Sequence, residues 1–231
     1  MLPVSTEFSI SRAKSFRSVS QNSMQFIDTH CHFDFPQFDE IRHGILEYCK
    51  AFGLVKLIVP SVGIANWEKV LNLADAFPEV EAALGIHPCF LADANLSQIN
   101  DLKRLIIANR SRLVAVGEIG LDRLVDSEKG KQQAFFDYQL ALAAEFDLAV
   151  IVHSRRMHDE VTSCLKTHDI KRGVVHGFSG SLQQAEKIWA LGIRLGVGGV
   201  ITYARANKTR KALAAMPLQS ILLETDAPDM P

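Results

Sequence analysis

Eight short apolar runs alternate with seven longer amphipathic stretches between residues 24 and 231, and this alternation limits the fold more than any other feature. The runs are Gln25–Thr29, Val55–Pro60, Glu81–Ile86, Leu113–Gly117, Leu148–Val152, Gly173–Val175, Arg194–Val197 and Ser220–Leu223. They are rich in Val, Ile and Leu without polar alternation, as strands buried on both faces are. The stretches between them carry helical periodicity: Asp39–Phe52, Ile64–Phe77, Leu96–Asn109, Ser127–Phe146, Met157–His168, Leu182–Leu191 and Ala204–Ala214. Ser97 is placed as an N-cap, and Gly53 and Gly192 where helices should stop.

Strand and helix in strict alternation demand a parallel sheet. Eight strands suit a closed α/β TIM (β/α)8 barrel better than an open sheet. The open dinucleotide-binding sheet is disfavoured because no GxGxxG follows the first strand. No linker or internal repeat divides residues 24–231, so one domain is expected there. Residues 1–23 hold seven serines and the basic residues Arg12, Lys14 and Arg17, and are expected to be a disordered extension or to precede the true start at Met24. The chain stops at Asp229-Met230-Pro231, straight after the eighth run, so the barrel is expected to be C-terminally truncated and to lack its last helix. Apolar surface of the first and last strands should then face water.

Charge excludes little. Lys and Arg number 25 against 26 Asp and Glu, so no global basic excess announces a nucleic-acid partner. The four cysteines form no CxxC pair, which suits reduced thiols in a cytoplasmic protein. No run of 18 apolar residues is present, so no membrane span is expected.

The chemistry sits at strand ends. Asp28-Thr29-His30-Cys31-His32 closes the first strand, Glu118 the fourth, His153 the fifth, His176 the sixth and Asp226 the eighth. In a barrel these ends converge on one mouth. His30 and His32 stand two apart on extended chain, so both rings point the same way and can share a cation. Imidazole and carboxylate suit Zn2+, Mn2+ or Fe2+ and, with more oxygen, Mg2+. Glu118 has two oxygens and could bridge a pair of ions, with His153 and His176 completing a second site. Two ions roughly 3.5–4 Å apart would stabilise both oxygens of a phosphoryl displacement. Asp226 could bind the first ion and act as general base. His43, His158 and His168 fall within helical stretches and are expected on solvated surface.

Ile-Asp-Thr-His-Cys-His at 27–32, Gly-Ile-His-Pro at 85–88, Gly-Glu-Ile-Gly-Leu-Asp at 117–122, the strand-end His153 and His176, and Glu-Thr-Asp-Ala-Pro at 224–228 together resemble the TatD family. The resemblance implies a TIM barrel, two divalent ions (Mg2+ in the cell, with Zn2+ or Mn2+ possible) and hydrolysis of phosphodiester bonds at single-stranded DNA ends, by a 3′-to-5′ exonuclease. It implies that His30, His32, Glu118 and Asp226 hold one ion and Glu118, His153 and His176 the other. It gives His87 a contact with the scissile phosphate or leaving group, and Asp226 the role of catalytic base. Arg155 is a candidate for phosphate contact, since its guanidinium can pair with two oxygens. Glu118 stands where many amidohydrolase relatives carry a carbamylated lysine, which favours the nuclease-like branch. The chain departs from the family pattern at Cys89, where a second imidazole is common, and at Ala227, where Ser is common. A related barrel hydrolase acting on a small amide, ester or phosphoester is the alternative, and an inactive remnant the third reading. Local basic groups that could meet DNA are Arg155, Arg156, Lys208, Arg210 and Lys211. No membrane or obligate protein partner is implied, and a monomer is expected.

Overall fold

The structure, a computed structural model, describes residues 24–92, 94–126 and 130–230. Residues 1–23, expected to be an extension, and the first residues of the helix expected from Ser127 lie outside this set. Among the described residues the strands are β1 (Phe26–Asp28), β2 (Leu54–Pro60), β3 (Val80–Leu84), β4 (Leu113–Asp122), β5 (Ala149–Arg155), β6 (Gly173–Val175), β7 (Arg194–Val197) and β8 (Ile221–Leu223). The helices are α1 (Arg42–Ala51), α2 (Trp67–Ala76), α3 (Ser97–Asn109), α4 (Lys131–Glu145), α5 (His158–Thr167), α6 (Leu182–Ala190) and α7 (Asn207–Ala214). Each expected run and stretch is therefore present, with its ends moved by a few residues.

The strands lie in sequence order, each parallel to the next. Backbone bonds between the two ends of the sheet close it into a barrel. Thr29 N donates to Leu223 O at 3.0 Å, Asp226 N to His30 O at 2.8 Å and His32 N to Ala227 O at 2.8 Å. Inside, Ala83, Ala115, Ile151 and Val174 form a buried plug, joined by Ile58 and Leu222. Ile151 and His153 share parity on β5, so the plug lies directly beneath the polar mouth. The larger core fills the layer between barrel and helices, with Phe136, Leu140, Leu165 and Leu102 fully buried.

Two local features matter for the site. β4 is longer than expected and contains Glu118 rather than ending before it. Its pairing with β5 runs from Val116↔Val150 to Ile119↔Val152, so β4 carries one extra residue across that step. Such a bulge re-aims a side chain, here Glu118. Gly53 and Gly192 end α1 and α6 with φ of 104° and 88°, conformations that side-chain-bearing residues avoid. The expected Ser97 cap is not formed. Ser97 is the first helical residue, and its N–H is accepted by Asn95 Oδ1 at 2.9 Å.

Among the described residues no helix follows β8, and Ile27 and Leu223 present their side chains to solvent. No described helix is long and apolar enough to cross a membrane.

Candidate metal centre

All six expected ligands meet at the mouth of the barrel. Asp28, at the end of β1, organises one side. Its Oδ1 accepts the N–H of His30 at 3.2 Å and of Thr225 at 3.0 Å, and its Oδ2 accepts the Thr225 hydroxyl at 2.6 Å. This carboxylate therefore fixes the segment carrying His30 and His32 against the one carrying Asp226. Asp226 itself has φ of 56°, a left-handed conformation that Asp tolerates better than most residues.

Two groups of donor atoms result, joined by Glu118. In the first, His30 Nε2 and His32 Nε2 lie 3.3 Å apart. Each is 3.4 Å from Glu118 Oε2, and they stand 3.5 and 3.7 Å from Asp226 Oδ1. In the second, Glu118 Oε1 is 2.6 Å from His176 Nε2 and 3.2 Å from His153 Nδ1, and those two nitrogens are 3.2 Å apart. Each oxygen of one carboxylate thus faces its own cluster.

The donor chemistry fits divalent cations. Imidazole nitrogens and carboxylate oxygens converge in a buried place, and the ligand-atom triads His30–Glu118–His176 and His30–His32–Asp226 each lie within 4.8 Å of one another. Among the described residues no Lys or Arg pairs with Glu118 or Asp226, so nothing but imidazole offsets these buried charges. Burial alone would raise the Glu118 carboxyl, but His176, His87 and His30 hold it well below the usual carboxylate range. Burial would lower His176, but Glu118, then Glu224 and Asp226, push it up to about 10. Burial, with His176 beside it, drives His30 down to about 3. Burial raises Asp226, and Glu118 adds to the rise.

His87 also reaches the second cluster, with Nε2 3.3 Å from Glu118 Oε1. Its tautomer differs from that of a ligand. Nδ1 accepts the N–H of Cys89 at 3.0 Å, so the neutral ring carries its proton on Nε2 and donates toward the centre. Burial lowers its pKa, which keeps the ring neutral. Buried Gln139 of α4 fixes this segment, taking the Ile86 N–H at 2.7 Å and donating to Ile86 O at 3.1 Å.

The centre opens into a cavity of about 750 Å³. Arg155 lines it with a side chain 60% exposed and Nη1 4.0 Å from Asp122 Oδ2. Arg156 lines it too, but Lys208, Arg210 and Lys211 do not. The Arg210 guanidinium is committed to the carbonyls of Ile201 at 2.6 Å and Tyr203 at 2.8 Å. Arg205, stacked 4.8 Å over the Tyr203 ring, stands at the lip instead. His158, expected on the surface, is buried, with Nδ1 2.6 Å from Ser154 Oγ. It opens α5 on the side facing the barrel. His43 is exposed as expected, while His168 is half-buried against Asp137 at 3.0 Å.

Three acidic residues that the sequence reading left without a role prove to be part of the site: Asp28, Asp122 and Glu224. Glu224 Oε1 accepts the Gly177 N–H at 2.5 Å and lies 4.0 Å from His176 Nδ1. All three stand in the motifs quoted above, at the ends of strands.

A family model described as TatD related DNase matches residues 27–231. An uncharacterized metal-dependent hydrolase of Escherichia coli K12, YjjV, is 50% identical over 209 residues, covering 90% of this chain and 81% of its own. The crystal structure of that TatD homologue superposes with a TM-score of 0.83 at 49% identity, covering 89% of this chain and 80% of its own. A 3′-5′ ssDNA/RNA exonuclease, TatD of Erwinia tasmaniensis, is 31% identical over 197 residues, covering 83% of this chain and 75% of its own.

Proposed function

Since the chain belongs to the TatD family of metal-dependent hydrolases, we propose that it is a two-ion phosphodiesterase that trims single-stranded DNA from the 3′ end. The observation that carries this reading is Glu118, whose two oxygens face two separate donor clusters. His30, His32, Asp226 and Glu118 Oε2 would hold one divalent ion, and Glu118 Oε1, His153 and His176 the other. Bound there, the ions would neutralise charge on the nonbridging phosphate oxygens and lower the pKa of water. Mg2+ is the ion we assign in the cell, with Zn2+ and Mn2+ also suited to so many imidazoles.

The protein's own groups divide the remaining work. Asp226 accepts the proton of the attacking water. His87 donates from Nε2 to the leaving oxygen or to charge developing on the phosphoryl group. Arg155 reaches a phosphate oxygen from the lip.

End-labelled single-stranded DNA tests this. Shortening from the 3′ end that needs divalent metal and is lost in Asp226→Asn is the expected result. A second reading follows from the cavity, whose lining includes Arg155, Arg156 and Arg205 but no lysine among the described residues. A folded, metal-loaded protein that leaves DNA intact but cleaves a small phosphodiester or amide would establish that reading instead.

A further inference from the structure

We propose that Asp122 is a positioning residue that keeps the His153 proton on Nε2, so that the Nδ1 lone pair is free for the second ion. The inference rests on the two-ion reading above.

Two carboxylates compete for the proton of His153. Glu118 Oε1 lies 3.2 Å from Nδ1, and Asp122 Oδ2 lies 3.1 Å from Nε2. A neutral imidazole has a single N–H, and only the nitrogen without it can bind a metal. If the proton sat on Nδ1, it would bond to Glu118 and close the ligand position. Glu118 Oε1 already has His176 Nε2 at 2.6 Å and His87 Nε2 at 3.3 Å. Asp122 Oδ2 has His153 Nε2 as its hydrogen-bond partner, with Arg155 more distant at 4.0 Å. The proton is therefore better placed at Asp122.

Asp122 is held so that it can impose this choice. Its other oxygen accepts the Leu124 N–H at 2.8 Å. Gln132 of α4 grips its backbone at both ends: Oε1 takes the Asp122 N–H at 2.8 Å, and Nε2 donates to the Asp122 carbonyl at 3.0 Å. The Asp122 side chain is 98% buried, so water competes little for its oxygens. A carboxylate that fixes ring and tautomer from behind is a recurrent way to set the basicity of a metal-binding histidine.

Asp122→Asn keeps the shape and breaks the arrangement. With the amide NH2 toward His153, Nε2 must accept and the proton moves to Nδ1. With the amide oxygen there instead, the NH2 faces the Leu124 N–H, donor against donor. Zinc titration of the metal-free protein should show two ions in the wild type. In Asp122→Asn the second should bind about 10–100-fold more weakly, with the ion at His30, His32 and Asp226 unchanged within about twofold. Long-range 1H–15N spectra of histidine-labelled, metal-free protein at alkaline pH should show His153 protonated on Nε2 in the wild type and off Nε2 in the variant. Equal affinity for both ions in a folded Asp122→Asn, or a wild-type His153 protonated on Nδ1, overturns the proposal. If the variant does not fold, the wild-type spectrum decides. A wild type that takes up a single ion sinks the two-ion reading, and the spectra still decide the role of Asp122.

Discussion

Glu118 approaches His176 to 2.6 Å through Oε1 while its other oxygen faces His30 and His32. One carboxylate on β4 therefore ties together side chains from the segment after β1 and the loop after β6. Glu118→Gln removes a charge shared by both clusters. Ion stoichiometry should fall from two to at most one, and DNA cleavage should drop by more than the 10–100-fold typical of an outer contact. Equilibrium dialysis with Zn2+ or Mn2+, beside the nuclease assay, checks both numbers. Retention of two ions would remove Glu118 from the bridging role.

Asp226→Asn should separate stability from activity. The native carboxyl is raised by burial and by Glu118, so its ionised form is costly in the metal-free fold. Asn also tolerates the left-handed backbone at this position. Metal-free Asp226→Asn should melt roughly 2–4 °C higher than wild type, the effect of about 1 kcal/mol in a chain of this size, while cleavage disappears. A lower melting temperature would mean that the attraction of Asp226 to His176 and His32 outweighs the cost of its burial.

His87→Ala should lower kcat by about 10²–10³, as loss of a preorganised donor does, without changing the number of ions bound. The basis is the tautomer set by the Cys89 N–H. Loss of an ion in this variant would instead make His87 a ligand alongside Glu118 and His153, a triad whose donor atoms also lie within 4.8 Å.

Metal binding should release protons. His176, pushed up to about 10, carries one at pH 7 in the metal-free protein and must give it up to bind through Nε2. Affinity should therefore rise with pH toward that value, and calorimetry in buffers of different ionisation enthalpy reads the proton count. The metal-free fold responds in two ways. His176 is raised above its ordinary value, so its contribution is full below about pH 6.5 and fades as pH rises through about 10. His30 is depressed to about 3, so its contribution is present above about pH 6.5 and fades as pH falls through about 3. His30→Asn should flatten the acid limb alone. Binding with no proton release would contradict the His176 assignment.

Arg155→Ala should raise KM for DNA several-fold and reduce the slope of log affinity against log salt by about 1, the signature of one lost phosphate contact. An unchanged slope would leave Arg155 as the partner of Asp122 and nothing more.

Much of this was legible in the sequence, for a physical reason. A buried parallel strand must be apolar, so the polar residue at its end is conspicuous, and His30, His153, His176 and Asp226 each stand out in this way. Glu118 was found by the same signal, but the extra residue that aims it was not, because a bulge is defined by the partner strand. Asp28, Asp122 and Glu224 stood in view within their motifs. Their roles depend on Thr225, His153 and Gly177, and no spacing along one strand gives those partners. His158 misled because helical periodicity alone does not show that the first turn of α5 lies over Ser154.

The closure between Thr29 and Leu223, and between His30 and Asp226, has a consequence for the order of events in synthesis. The first ion's donors are separated by almost 200 positions of chain, and no shorter nascent product holds both halves. On the proposed ligand set, high-affinity capture of that ion would wait for β8 to leave the ribosome and dock. Ion uptake would serve as a stopwatch for closure of the barrel by β8, and metal added earlier could not stabilise the open sheet through this site.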